Sequence, residues 1–251
     1  MRITPINYQK NYTSCLRTYT KPIDKFTNME INTTTWLFRQ DMDWVQLVKK
    51  MQENFRNCSK INIYSAGASD GSEAYTMAIA LLEYAPELAK KSFPIFASDQ
   101  DDEMIKTFNT GRINLRIEDF IRMEMFTNKN FFIDGQEKIE IQDLQNSPLN
   151  KNARSFRPIP EIANSIFYKK EDIIETLNNI EDNGNTLLLC RNVSSYLSKD
   201  TVEKLCESAE KTLKKGSLFA VGFSDFLSGL PYKLPKYRFK EIIPDMLFEK
   251  L

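Results

Sequence analysis

Apolar positions along this chain keep changing period. In "DMDWVQLVKKMQENF", Trp44, Leu47, Val48, Met51 and Phe55 recur at helical spacing. "KINIYSAG" then predicts a strand that ends in a glycine turn, and "GSEAYTMAIALLEYA" a helix with Ala74, Met77, Ala78, Leu81 and Leu82 on its apolar face. "SFPIFASD" predicts a second strand, and "DEMIKTFNTG" a helix stopped by Gly111. "SIFYKKED" and "NTLLLCRNV" follow as strands; the apolar run of the latter suits a strand buried on both faces. "SKDTVEKLCESAEKTLKKG" places Val202, Leu205, Cys206, Ala209 and Leu213 on one helical face, with Asp200 and Glu203 as a capping box and Gly216 as the stop. "SLFAVGFS" reads as the last strand.

Strands alternating with helices predict an α/β fold with a doubly wound, mostly parallel sheet. The alternation breaks over about residues 118–164. There Asp134-Gly135 lies between two short β-like runs, and "SFRPIPEIANSIFY" adds a third, so a small antiparallel β insert is expected. Residues 1–30 are polar and weakly periodic and read as an arm or short helices. The expected organisation is this arm followed by one domain over 31–251 that carries the insert.

Composition narrows the function. Lys+Arg and Asp+Glu both number 34, so no net charge draws the chain to nucleic acid or anionic lipid. No apolar run reaches the ~20 residues of a membrane span, and the N-terminus lacks a signal-peptide core, so a cytoplasmic protein without membrane insertion is expected. The four cysteines are scattered, as in a reduced protein without a metal site. The chain contains no histidine, the usual base of a serine triad and a common metal ligand.

That absence bears on Gly67-Ala68-Ser69-Asp70-Gly71, which matches the G-x-S-x-G of a nucleophilic serine. Without an imidazole, Ser69 reads better as part of a loop that cradles a ligand. The loop stands where the first βα turn of a dinucleotide-like fold belongs, at a strand's carboxyl end. Asp99 ends the next strand, placed to accept hydrogen bonds from both hydroxyls of a ribose. Together they point to an adenosine-containing ligand; an ordinary tight turn beside a solvated carboxylate is the alternative.

Five segments carry a family resemblance. "YSAGASDGSEAYTMAIAL" resembles "W-S-A-G-C-S-T-G-E-E-P-Y-S-I-A" of the CheR-type chemotaxis methyltransferases, S-adenosylmethionine-dependent protein-glutamate O-methyltransferases. "TTTWLFRQ" resembles their "N-x-T-x-F-F-R-E", and "FASDQDDEMIKTFNTGRI" their "A-T-D-I-D-x-x-x-L-x-x-A-x-x-G-x-Y". "LLLCRNVSSYLSKDT" is similar to "F-C-R-N-V-x-I-Y-F", and "FAVGFSD" to "x-x-G-H-S-E". The resemblance implies a Rossmann-like fold, S-adenosylmethionine as cofactor, and a chemoreceptor-like helical protein as partner. It implies that Asp99 binds the ribose, that Ala66 and Gly67 line the cofactor, and that Asp172 and Ile173 lie beside the adenine. Arg191 and Asn192 would close the site, with Ser72 and Glu73 following the loop. Thr35 and Arg39 would reach over the methionine part, and Arg39 and Tyr196 would stand nearest the transferred methyl group.

The chain departs from the pattern at Ser72, where the family has an acid, and at Phe223, where it has histidine. Thr33 stands for asparagine, Ala68 and Asp70 for cysteine and threonine, and about 30 residues precede the arginine motif where the family carries a helical domain. Two alternatives therefore stand beside carboxylate methylation: a non-catalytic binding module on the same fold, and a methyltransferase for a different acceptor.

Overall fold

The computed structural model describes residues 35–127, 129, 131–134, 137–138 and 154–251. The expected arm over 1–30, Thr33, Cys15 and Gly135 lie outside the described residues.

Helix α1 (Trp44–Asn54) opens on Asp43, whose side chain accepts the Gln46 N–H, and it buries Trp44, Leu47, Val48 and Met51. Strand β1 (Asn62–Ala66) leads through the glycine loop into α2 (Ser72–Tyr84). The sequence suggests one apolar face for α2, yet Ser72 and Ala74 through Leu81 are all buried. Its small side chains allow the sheet, α1, α3 (Pro86–Ser92) and the insert to close around it. Strand β2 (Ile95–Asp99) precedes α4 (Asp102–Asn109), capped by Asp101.

Among the described residues the main sheet has seven strands; with β7 (Ile166–Lys170), β8 (Thr186–Leu189), β9 (Leu218–Ala220), β10 (Phe239–Ile243) and β11 (Leu247–Lys250) the order is β10-β11-β9-β8-β1-β2-β7. Strands β7, β8 and β9 pair in parallel with the β1–β2 centre. Leu187, Leu188 and Leu189 are wholly buried, as the apolar run predicts. After the short helix α6 (Pro160–Ala163), helices α7 (Ile173–Asn178) and α8 (Lys199–Thr212) cover the face opposite α1 and α2, which makes the sheet doubly wound. The cap of α8 is Ser198, which accepts the Thr201 N–H; Asp200 and Glu203 do not form the expected box, and Gly216 lies beyond the helix end.

Strand β9 is not the last. Strands β10 and β11 form an antiparallel hairpin, and β11 adds to β9. Lys250 is nearly buried there, its Nζ donating to the Tyr237 carbonyl and lying over the Phe239 ring.

A second, antiparallel sheet has the order β3-β6-β4-β5. It draws on β3 (Ile113–Leu115), β4 (Phe132–Asp134), β5 (Glu137–Lys138) and β6 (Arg154–Pro158). Between β3 and β4 runs α5 (Ile117–Phe126), a helix the strand pattern did not suggest. The Phe132 ring meets Tyr75 of α2 edge-on, so this sheet shares the main core. Among the described residues no helix is long and apolar enough to cross a membrane.

Candidate functional site

Strand β1 is flanked by β2 and β8, so the strand order reverses there and a crevice opens at the carboxyl ends. The register places Ala66 beside Ser98, Asp99 beside Lys170 and Ser65 beside Leu189. Four strand ends therefore deliver the Gly67 loop, Asp99, Asp172-Ile173 and Arg191-Asn192 to one rim.

The loop is bolted to β2: the Gly67 and Ala68 N–H groups both donate to the Ser98 carbonyl at 2.9 and 2.8 Å. Gly67 has φ +75°, and an added Cβ would stand 2.6 Å from Val193 Cγ2. Glycine is required there by both conformation and space. Ser69, at φ +53°, is buried, its hydroxyl facing the Met104 thioether. Asp70 Oδ1 accepts both the N–H and the hydroxyl of Ser72, and loss of water pushes its carboxyl up to about 6.

Asp99 Oδ2 accepts the Ser69 N–H at 2.8 Å and Oδ1 the Asp101 N–H at 2.9 Å. Burial raises its carboxyl, and these hydrogen bonds oppose the rise. The Tyr168 hydroxyl donates to the Ser69 carbonyl, and its ring packs on Phe108 at 4.6 Å, backing the loop from the β7 side. Asp172 caps α7, accepting the Ile174 and Glu175 N–H groups, and Ile173 is buried next to it.

Residues 35–41 form the opposite wall. Leu37 and Phe38 are wholly buried, and Phe38 stacks on Phe126 of α5 at 4.7 Å. The Leu37 N–H donates to Asp119, the Phe38 N–H to Thr76, and Arg122 Nε to the Leu37 carbonyl. Trp36 is only partly buried and serves as a platform, with the Arg39 guanidinium 4.4 Å from its ring centroid. Burial lowers Arg39 and Asp41 opposes that. Among the described residues the Arg39 guanidinium makes no hydrogen bond; its Nε lies 3.6 Å from Asp41 Oδ2. Tyr196, in a 3₁₀ turn over Ser194–Tyr196, is close enough to act on its charge. Thr35 stands at the start of this wall, partly buried.

A charge network joins the two walls. Arg191 is buried over the Trp44 ring and pairs with Asp41 on one side and with Glu73 at 3.0 Å on the other. Glu73 also accepts from Ser65 Oγ; burial raises its carboxyl, against the pull of Arg191. Asn192 takes φ +60°, a conformation asparagine tolerates. Its amide donates to Asp41 and its oxygen accepts from Ser224. Asp225, wholly buried, accepts the backbone N–H groups of Gly222, Asn192, Val193 and Ser194 and the Ser194 hydroxyl. This carboxylate holds the turn that carries Tyr196.

The rim thus brings together the glycine loop, Asp99, Asp172-Ile173 and Arg191-Asn192, with Arg39 reached through Asp41. The side chains of Ser72, Glu73, Arg191 and Asp172 are engaged by the protein itself. Asp99 and Arg39 keep hydrogen-bonding capacity. The departures from the motif pattern are mild here. With Ser72 uncharged, Glu73 and Asp41 supply the anions for Arg191, and Phe223 contributes its backbone N–H, donated to Asp41 at 3.0 Å, while its side chain is exposed. Sequence reasoning missed Asp41, Asp119, Arg122, Tyr168 and Asp225. Of these only Asp225 lay within a quoted motif.

A family model described as "CheR methyltransferase, SAM binding domain" matches residues 32–243. A probable chemotaxis protein methyltransferase of Rhizobium etli is 24% identical, covering 78% of this chain and 68% of the relative. Chemotaxis protein methyltransferase 1 of Vibrio cholerae is 29% identical, covering 84% of this chain and 70% of the relative.

Proposed function

The chain belongs to the CheR methyltransferase family, matched over its S-adenosylmethionine-binding domain, and from that premise we propose that it methylates side-chain carboxylates of a helical, chemoreceptor-like protein in the cytoplasm. The observation that supports the reading is that Asp99 ends β2 beneath the glycine loop, while Arg39 stands with Asp41 beside Arg191 just past the end of β8, on the same edge of the sheet. One carboxylate has hydrogen-bonding capacity left, and one arginine has no hydrogen-bonded partner among the described residues.

The donor set suits an adenosine-containing cofactor. Asp99 accepts the Ser69 N–H on one oxygen and the Asp101 N–H on the other, with the Gln100 N–H also drawn to it, and a carboxylate offers about four acceptor sites in all. The remainder serves the ribose hydroxyls. The Ala66-Gly67 turn and Ile173 give apolar and backbone surface for the rest of the nucleoside. S-adenosylmethionine, when bound, supplies a methyl group activated on a sulfonium.

Arg39 orients the acceptor carboxylate by a bidentate pair, stiffened by its stack on Trp36. Asp41 close by keeps that cation from overstabilising an anion whose charge disappears in the transition state. Tyr196 holds the acceptor from the far side. A glutamate, with a reference pKa near ~4.3, is already ionised at pH 7, so the site needs no base and the absence of histidine costs nothing. Glu73, Ser72, Arg191 and Asn192 keep the two walls in register.

Calorimetric titration with S-adenosylmethionine and with its demethylated product, followed by single-turnover transfer to a glutamate-bearing helical protein, tests the reading. Binding of both with transfer supports it. Binding without transfer moves the chain to a non-catalytic module, and no binding removes the reading.

A further inference from the structure

Asp41 lies outside the residues that the motifs singled out, yet its carboxylate is the most shared group at the crevice. Oδ1 pairs with Arg191 Nη2. Oδ2 accepts the Asn192 amide at 2.8 Å and the Phe223 N–H at 3.0 Å, and it lies 3.6 Å from Arg39 Nε. One carboxylate thus touches the ends of β8 and β9 and the arginine wall. Burial works to raise its pKa, and Arg191 and Arg39 together with the Asn192 and Phe223 hydrogen bonds outweigh burial, so it stays ionised.

Arg39 and Arg191 are like charges that act on each other, and Asp41 lies between them. Arg191 has a second anion in Glu73, and its stack on Trp44 fixes its plane. Among the described residues Arg39 is held over the crevice by Asp41 and the Trp36 face, with a weaker pull from Glu73. A contact at 3.6 Å attracts without using up the guanidinium's hydrogen-bonding edge.

We propose that Asp41 is a positioning residue: it shields Arg39 from Arg191 and holds the Arg39 guanidinium over the crevice with its outer edge open to an incoming carboxylate. The inference rests on the proposed role of Arg39 in carboxylate methylation. Removing the charge at residue 41 leaves Arg39 facing Arg191 with only the weaker pull of Glu73 to offset it, and repulsion then drives its flexible side chain toward solvent.

The test is a double-mutant cycle on single-turnover transfer with saturating cofactor and acceptor, using Asp41→Asn, Arg39→Lys and the pair. If Asp41 acts through Arg39, Asp41→Asn slows transfer by roughly tenfold or more, and adding it to Arg39→Lys slows transfer no further. Losses that multiply would overturn the proposal, since Asp41 would then act independently of Arg39. A second readout needs no turnover. The Arg39 Nε–H resonance, assigned by its loss in Arg39→Lys, should move in Asp41→Asn to the position and fast solvent exchange of an exposed arginine. An unmoved resonance overturns the proposal as well. If wild-type protein transfers no methyl group, the functional reading fails while the resonance still decides the positioning. Should Asp41→Asn not fold, Asp41→Ser, which keeps an acceptor for the Phe223 N–H but no charge, is measured in the same two ways.

Discussion

The Asp99 carboxylate accepts the backbone N–H of Ser69 at 2.8 Å, so the residue proposed to hold the ribose also shapes the loop beneath it. Asp99→Ala should therefore fail twice. Loss of two charge-assisted hydrogen bonds to ribose should cost on the order of 1.5–3 kcal/mol each in cofactor affinity. The Ser69 and Asp101 N–H groups left without their acceptor should lower stability by about 1–3 kcal/mol each. Calorimetry and denaturant unfolding of one variant measure both. Unchanged affinity would remove Asp99 from the cofactor site.

Gly67 faces Val193 across a gap that admits no Cβ. Gly67→Ala combines a left-handed backbone, about 1–2 kcal/mol, with an overpacked contact of about 1–3 kcal/mol. Trimming the neighbour relieves only the second part. The double variant Gly67→Ala, Val193→Ala should be less destabilised than the sum of the singles by about 1 kcal/mol or more. Strict additivity in urea unfolding would place the whole cost in the backbone.

Asp225 is the acceptor for a run of backbone donors, the N–H groups of Gly222 and Ser194 buried and those of Asn192 and Val193 partly so. Asp225→Ala leaves these without partners, at about 1–3 kcal/mol each, and should destabilise by more than ~4 kcal/mol. The carboxylate acts as structure, so the loss should appear in thermal unfolding without any ligand. A shift of less than about 1 kcal/mol would mean that the turn is held by other contacts.

Asp70 gives a pH signature. Its folded carboxyl titrates at about 6, above the unfolded reference near ~3.9, so between those values the folded chain binds more protons than the unfolded one. Its contribution to stability is full below the unfolded value and falls as pH rises toward 6, by on the order of 2 kcal/mol. Subtracting the stability profile of Asp70→Asn from that of the wild type should isolate this slope. A difference that is flat from pH 4 to 6.5 would show that water reaches the carboxyl.

The glycine loop and Asp99 were legible in the sequence because their signals are local: a strand, a turn with two glycines, and an acid at the next strand's end. The parallel sheet followed from the alternation of periods for the same reason. What was missed depends on contacts between distant residues. Asp41 meets Arg191 across 150 positions, and Leu37 meets Asp119 across 82. An aspartate two places after an arginine looks like any solvated charge until the fold brings a second arginine to it. Trp36 and Phe38 both look like anchors for the arginine segment. The buried pair is Leu37 and Phe38, because the chain turns at Phe38 with φ +47° and leaves Trp36 beside Arg39. Strands β10 and β11 escaped notice because β11 owes its burial to β9 and carries Glu249 and Lys250, which local patterning reads as surface.

The chemical identity of the product tests the central claim most directly. Wild type and Arg39→Lys are incubated with methyl-labelled S-adenosylmethionine and a glutamate-bearing helical receptor protein, and the labelled protein is then treated with mild alkali. The account predicts that wild type labels the acceptor and that alkali releases the label as methanol, as a carboxylate ester requires. It also predicts that Arg39→Lys, lacking the planar fork, transfers at least ~10-fold more slowly while binding the cofactor nearly as well. An alkali-stable label, no label from a chain that binds the cofactor, or an unaltered rate in Arg39→Lys would contradict it.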